Sequence, residues 1–294
     1  MTRVGWGVGN EVDPAAQIAD GVIVGSYNRI GPGVVIQGFR GHGASVRIGD
    51  CNDIHANTRI LAGPGGITIG DWNVLHNTML VMANAGLTIG HNCWFGQHTI
   101  LDGAGGLVIG HGVRVGMYSQ LWTHVASGEL IEGCTLFAHR PTEVEDDVWL
   151  VGSCIVGSGL RLGRRSICLI SSNITKDTEP GRVYGGSPAR LLEKLSFWKP
   201  LTLDEKMTML AGWLEQFAAA QGDVRVTQDA GHLVLEVPDG RAVFGPGAAG
   251  DRTDTTYFDV EGKTYTKRLS SLERRVYRFL FDHKARFLPT AAGS

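Results

Sequence analysis

The sequence predicts a mainly β chain: a parallel β-helix solenoid followed by a small α+β appendage. Three observations predict it. An internal repeat runs at 20 to 21 residues, an aliphatic side chain returns at every sixth position, and glycine reaches 42 of 294 residues without a G-X-Y period.

The segments VRIGDCNDIHANTRILAGPGG, ITIGDWNVLHNTMLVMANAG, LTIGHNCWFGQHTILDGAGG and LVIGHGVRVGMYSQLWTH align on Ile-Gly pairs beginning at Ile48, Ile69, Ile89 and Ile109. Inside them the apolar anchors are Ile48, Ile54, Ile60; Ile69, Leu75, Val81; Ile89, Phe95, Leu101; and Ile109, Val115, Leu121. The same step runs upstream through Ile18, Val24, Ile30 and Ile36, and downstream through Val144, Leu150, Val156, Leu162, Cys168 and Ile174. A six-residue step fits neither the helical period nor the alternation of a strand. It fits a triangular coil with three short strands per turn, each sending one aliphatic side chain inward while Gly, Asn and Asp turn the corners. Units longer than three sixes place the runs AGPGG, ANAG and GAGG at one enlarged corner. Right-handed solenoids have longer and less strictly hexameric coils, so the coil is read as left-handed. Each buried aliphatic side chain contributes roughly 1.5–3 kcal/mol.

The period breaks in VASGELIEGCTLFAHRPT, near 125–143, and more briefly around 38–45. Interruptions of a solenoid are loop excursions, and sites gather on them. After residue 192 the character changes. LTLDEKMTMLAGWLEQFAAAQG opens with a capping box, Thr202 to Glu205, and has apolar Met207, Leu210, Leu214 and Phe217 on one helical face. VRVTQDAGHLVLEVPDGRAVF reads as short strands, and SSLERRVYRFLFDHKARF as a second capped helix carrying Arg274, Arg275, Arg278, Lys284 and Arg286. Residues 1–192 are therefore read as the β-helix domain and 193–294 as the appendage.

Net charge is -2 and the charges are mixed, so no basic field points to a nucleic acid. The N-terminal MTRVGWGVGNEVDPAA lacks a signal-peptide core, and no stretch approaches a membrane span, so a soluble cytoplasmic protein is expected. Five widely spaced cysteines (Cys51, Cys93, Cys134, Cys154, Cys168), none in a CxxC pair, read as reduced thiols rather than disulfides or a zinc ribbon.

The ending SNITKDTEPGRVYGGSPARLLEKL resembles the hexapeptide-repeat acyltransferases, which close their β-helix with "S-x-V-T-K-D-x-x-P" and then "V-x-G-x-P-A-K/R". The matching residues are Ser172, Ile174, Thr175, Lys176, Asp177, Pro180, Val183, Gly185, Ser187, Pro188, Ala189 and Arg190. With the repeats, the resemblance covers roughly residues 10–192. It implies a left-handed parallel β-helix, a homotrimer, and acetyl-CoA lying between two subunits with its thioester at a histidine. The family's "T-H" setting falls on LWTHV, so the resemblance marks His124 as general base. Chemistry agrees: acyl transfer to a hydroxyl or amine needs a base working near neutrality, which suits imidazole.

For acetyl-CoA, the resemblance and the charge pattern mark Trp149, Gly152, Ser153, Arg164, Lys176, Arg182, Ser187 and Arg190. Arginine's fork suits phosphates, and Arg161 and Arg165 add to the basic cluster. Asp102, Tyr118, Trp122 and Glu143 are the candidate contacts for a sugar or other small acceptor. Relatives that act on sugars often carry Asn where this chain has Gly96. His55 with His76, and His91 with His111, recur at equivalent repeat positions and read as stacked structural side chains, while His98 and His139 are secondary candidates for the cleft. No metal site is expected. The rival readings are a γ-class carbonic anhydrase-like zinc enzyme on the same coil and a non-enzymatic β-helix scaffold.

Overall fold

The computed structural model describes residues 5–126, 128–283 and 285–290. They form two compact units, Met1–Trp198 and Lys199–Ser294. The first unit runs past residue 192 because Trp198 still packs on the last coils. Its indole Nε1 donates to Arg165 O at 2.9 Å, and the Arg165 guanidinium lies 5.1 Å from its ring centroid.

The first unit is a parallel β-helix. Among the described residues its three faces are sheets of ten, eight and seven strands, and successive coils pair in parallel. One coil runs from Trp94–Phe95 on the first face through Ile100–Gly103 on the second to Leu107–Ile109 on the third. The six-residue anchors fall in register. Ile54, Leu75, Phe95, Val115, Leu150 and Cys168 follow one another up the first face, and Ile60, Val81, Leu101, Leu121, Val156 and Ile174 up the second. All twelve are buried, because the prism interior holds only inward-pointing side chains.

The corner between third and first faces repeats one hydrogen bond per coil. Asp71 Oδ1 accepts from the backbone N–H of Asp50 (2.8 Å), His91 Nδ1 from Asp71 (2.8 Å), His111 Nδ1 from His91 (3.0 Å) and Asp146 Oδ1 from His111 (2.7 Å). Nδ1 accepts only through its lone pair, so in these bonds the ring N–H of each imidazole is on Nε2. They substitute for aspartate as corner acceptors and stack at 5.1 Å.

His55 and His76 stack edge-on at 4.5 Å, and His76 meets Trp94 at 4.9 Å. Burial, and then the charge of His55, hold His76 below the ordinary imidazole value, with Asp53 opposing. The folded chain thus favours neutral His76. Its contribution to stability is complete above about pH 6.5 and is lost as pH falls through the lowered folded value. Melting temperature is therefore expected to drop more steeply from pH 7 to 5 in the wild-type chain than in His76→Gln. Equal slopes in the two would refute this.

The glycine runs lie at the corner between second and third faces, and the excursion leaves the prism at that same corner. A side chain at Gly105 would put its Cβ 2.3 Å from Thr123 O, so glycine there lets the root of the excursion settle on the coil below.

In the second unit, helix α1 (Leu203–Gln221) carries the Thr202/Glu205 capping box and buries Leu210, Leu214 and Phe217. A sheet of six strands runs in order from Arg225–Asp229 to Leu288–Thr290. Helix α2 (Ser271–Asp282) is capped by Ser270 and buries Leu272, Val276, Tyr277 and Leu280. Arg286 lies beyond its end, Lys284 lies outside the described residues, and Arg275 is paired with Asp223. The expected row of helix cations is thereby reduced. No helix among the described residues is long and apolar enough to cross a membrane.

Candidate active site

The second face ends its coil with Gln120–Leu121, and the chain then leaves the prism. His124–Val125 pairs antiparallel with Ala138–His139, making a short ribbon before the chain rejoins the third face at Thr142–Val144. Beyond this ribbon the loop exposes Leu130, Ile131, Leu136 and Phe137.

At the root of the ribbon His124 Nδ1 lies 2.7 Å from Asp102 Oδ2. Asp102 is fully buried. The same Oδ2 accepts from Thr123 N (2.9 Å) and lies 3.0 Å from Thr123 Oγ1, while Oδ1 accepts from Ala104 N at 3.2 Å. Thr123 Oγ1 in turn takes the N–H of Gly105 at 2.8 Å. A carboxylate held by this many donors is fixed in place. Because it only accepts, Nδ1 carries the proton of the neutral ring and Nε2 keeps its lone pair. His124 is half-buried, with Trp122 against its edge (centroids 5.8 Å) and His139 beside it (5.8 Å). Phe137 adjoins His139 at 5.4 Å.

Of the expected acceptor contacts, only Trp122 stands beside His124. Asp102, expected as an acceptor contact, is fully buried and meets His124 Nδ1. Tyr118 is on the corner between first and second faces, stacked on His98 at 5.0 Å, so both are away from the ribbon. Glu143 points outward from the third face and pairs with Arg161 at 3.7 Å. His139 stands beside His124 across the ribbon.

The residues marked for acetyl-CoA separate into three places on one chain. Trp149, Gly152 and Ser153 belong to the first face and the corner after it, with Trp149 exposed. Arg164 and Arg182 come together before the first face, where Gly181 N donates to Arg164 O. Lys176 and Arg190 line one cleft of about 220 Å³ with Thr175, Asp177 and Tyr184, and the exposed Ser187 is in the turn that precedes Arg190. The positive field is weaker than the residue list implied. Arg161 pairs with Glu143 and Glu145, Arg165 with Asp147, and Arg182 with Glu179.

Sequence reasoning missed Phe137, Thr123 and the role of Asp102. The signal for Asp102 was its register: Met82 and Leu61 hold the equivalent places in the two preceding coils, and a carboxylate in an apolar column needs a partner.

No protein-family model matches the chain. A chloramphenicol acetyltransferase of Klebsiella aerogenes is 30% identical over 79 residues, 27% of this chain and 38% of that protein. A 2,3,4,5-tetrahydropyridine-2,6-dicarboxylate N-acetyltransferase of Staphylococcus aureus is 28% identical over 74 residues, 25% of this chain and 31% of that protein. The chain thus spans about a third of the length of the curated relatives it matches. Among solved structures, the polySia-specific acetyltransferase NeuO is similar over 73% of this chain and 99% of its own, at 14% identity and a TM-score of 0.47.

Proposed function

We propose that this hexapeptide-repeat chain, which resembles the acyltransferases of that kind in its coils and in its GGSPAR ending, is an acetyl-CoA-dependent acetyltransferase. The acceptor is a hydroxyl or amine of a sugar or related small molecule, and His124 is the general base. The carrying observation is the contact between fully buried Asp102 and His124 Nδ1, which leaves Nε2 as a lone pair at the mouth of the excursion.

Nε2 takes the acceptor proton as the acceptor atom bonds to the thioester carbon. When the C–S bond breaks, the proton passes from Nε2 to the CoA sulfur, and His124 returns to its starting state. A base so placed accelerates transfer by about 10² to 10⁴. Asp102 stabilises the imidazolium formed in between, without itself taking the proton.

Lys176 and Arg190, sharing a cleft, fit phosphate groups of the co-substrate, and exposed Trp149 with Gly152 and Ser153 fits its apolar arm. Arg164, Arg182 and Ser187 complete the proposed set. The ribbon and the Trp149 group occupy different corners of one prism, so a second copy is needed to bring one chain's His124 to another's groove. We therefore propose a homotrimer. Its place is the cytoplasm, where the five free cysteines stay reduced.

The test is thiol release from acetyl-CoA by the purified chain with a panel of sugar and amine acceptors. Acceptor-dependent release, with a rise in melting temperature on adding CoA, is expected. Absence of both at millimolar CoA refutes the reading.

A further inference from the structure

The ribbon sets a second imidazole beside the base, and the reaction above uses only the first. His124 and His139 are directly opposed across the two strands, so both side chains leave the same side of the ribbon. Their ring centroids are 5.8 Å apart, with the planes tilted by 36°. Each ring is turned by its Nδ1. For His124 the partner is Asp102 Oδ2 at 2.7 Å, and for His139 it is Ala104 O at a longer 3.4 Å. Carboxylate and carbonyl oxygens only accept, so in the neutral rings both Nδ1 atoms carry the proton and both Nε2 atoms are acceptors.

Two adjacent rings, each with an acceptor Nε2, suit two donors on one small molecule. A cationic ammonium is favoured by a neighbouring carboxylate. The arms of the ribbon, 122–125 and 137–140, contain none; their one permanently charged residue is Arg140, and Asp102 is sealed behind His124. Trp122 and Phe137 flank the pair, offering ring faces to an apolar C–H surface. A neutral saturated ring with adjacent hydroxyls has both features.

We propose that His139 determines acceptor specificity: its Nε2 accepts a hydrogen bond from the hydroxyl next to the one that His124 deprotonates. The acceptor class is then a cyclic vicinal diol, such as a pyranose edge, and transfer is to oxygen. This rests on the acetyl-transfer reading above. In the step, the C–O bond forms and the C–S bond breaks, the reacting hydroxyl's proton passes through His124 Nε2 to sulfur, and the neighbouring hydroxyl keeps its proton throughout. His139 orients the acceptor and exchanges no proton with it.

The experiment compares kcat/KM for methyl pyranosides and their monodeoxy analogues, which lack the neighbouring hydroxyl, in the wild-type chain, His139→Phe and His139→Gln. The wild-type chain is expected to prefer the parent pyranoside by about tenfold, the worth of one good hydrogen bond. His139→Phe collapses that preference through KM, and His139→Gln, which keeps an acceptor oxygen, recovers part of it. An unchanged preference in His139→Phe overturns the proposal, and so does an equal loss on both acceptors, which marks a role in loop structure only. Transfer confined to amines overturns it while leaving acetyl transfer standing. No thiol release with any acceptor removes the acetyl-transfer reading and this proposal together.

Discussion

Replacing Asp102 by Asn is expected to lower kcat by up to about 10⁴-fold, the loss seen when the carboxylate partner of a catalytic histidine becomes an amide. The substitution keeps the shape of the side chain. Asn offers one carbonyl oxygen, and because Thr123 N and His124 Nδ1 both meet the single atom Oδ2, that oxygen serves Thr123 N only where it also faces His124. Asn also brings an amide N–H₂ that must face an acceptor. Turned toward His124, it forces Nδ1 to accept and moves the proton to Nε2, the atom from which the base must work. The fold stays intact because one short-range hydrogen-bond network changes and no cavity opens. Thiol-release kinetics and a thermal melt check both halves. Activity within threefold of the wild type would show that the carboxylate does not set the tautomer.

His124→Ala is expected to cost about 10² to 10⁴ in kcat, some 3–5 kcal/mol of transition-state stabilisation, with acetyl-CoA binding retained. Retention follows from the position of the ring: His124 is on the excursion, whereas the residues proposed for the co-substrate are on the coils and the terminal turn. The double variant Asp102→Asn/His124→Ala supplies the sharper check. If the carboxylate acts only through the imidazole, the double variant is no slower than His124→Ala, since residues that act as a unit are not additive. Additive losses would separate the two residues and give Asp102 an independent task. A change in CoA-induced thermal shift on His124→Ala would instead place the histidine in co-substrate binding.

The coil architecture was legible because it is written locally and many times over. An aliphatic residue at every sixth position has one geometric solution that buries all of them, and Ile54, Leu75, Phe95, Val115 and Leu150 repeat that solution on successive coils. The helices of the second unit were legible for the same kind of reason: Thr202 and Glu205 satisfy each other's backbone within four residues. The break after His124 was visible as a failure of the period.

The site was less legible because its partners come from different coils. Asp102 and His124 are separated by a coil in sequence and by one hydrogen bond in space. His139 reaches His124 only because the excursion folds back as an antiparallel ribbon. Tyr118 and Glu143, close to His124 in number, are carried to other corners or faces, since a coil advances by one corner about every six residues.

Repetition let the order of residues specify the prism and the corner that grows, because both follow from short-range period and turn chemistry. Which nitrogen of His124 is free, which carboxylate holds it and which imidazole stands beside it were decided by stacking. A hydrogen bond depends on tenths of an ångström between chain segments whose separation in sequence carries no such information.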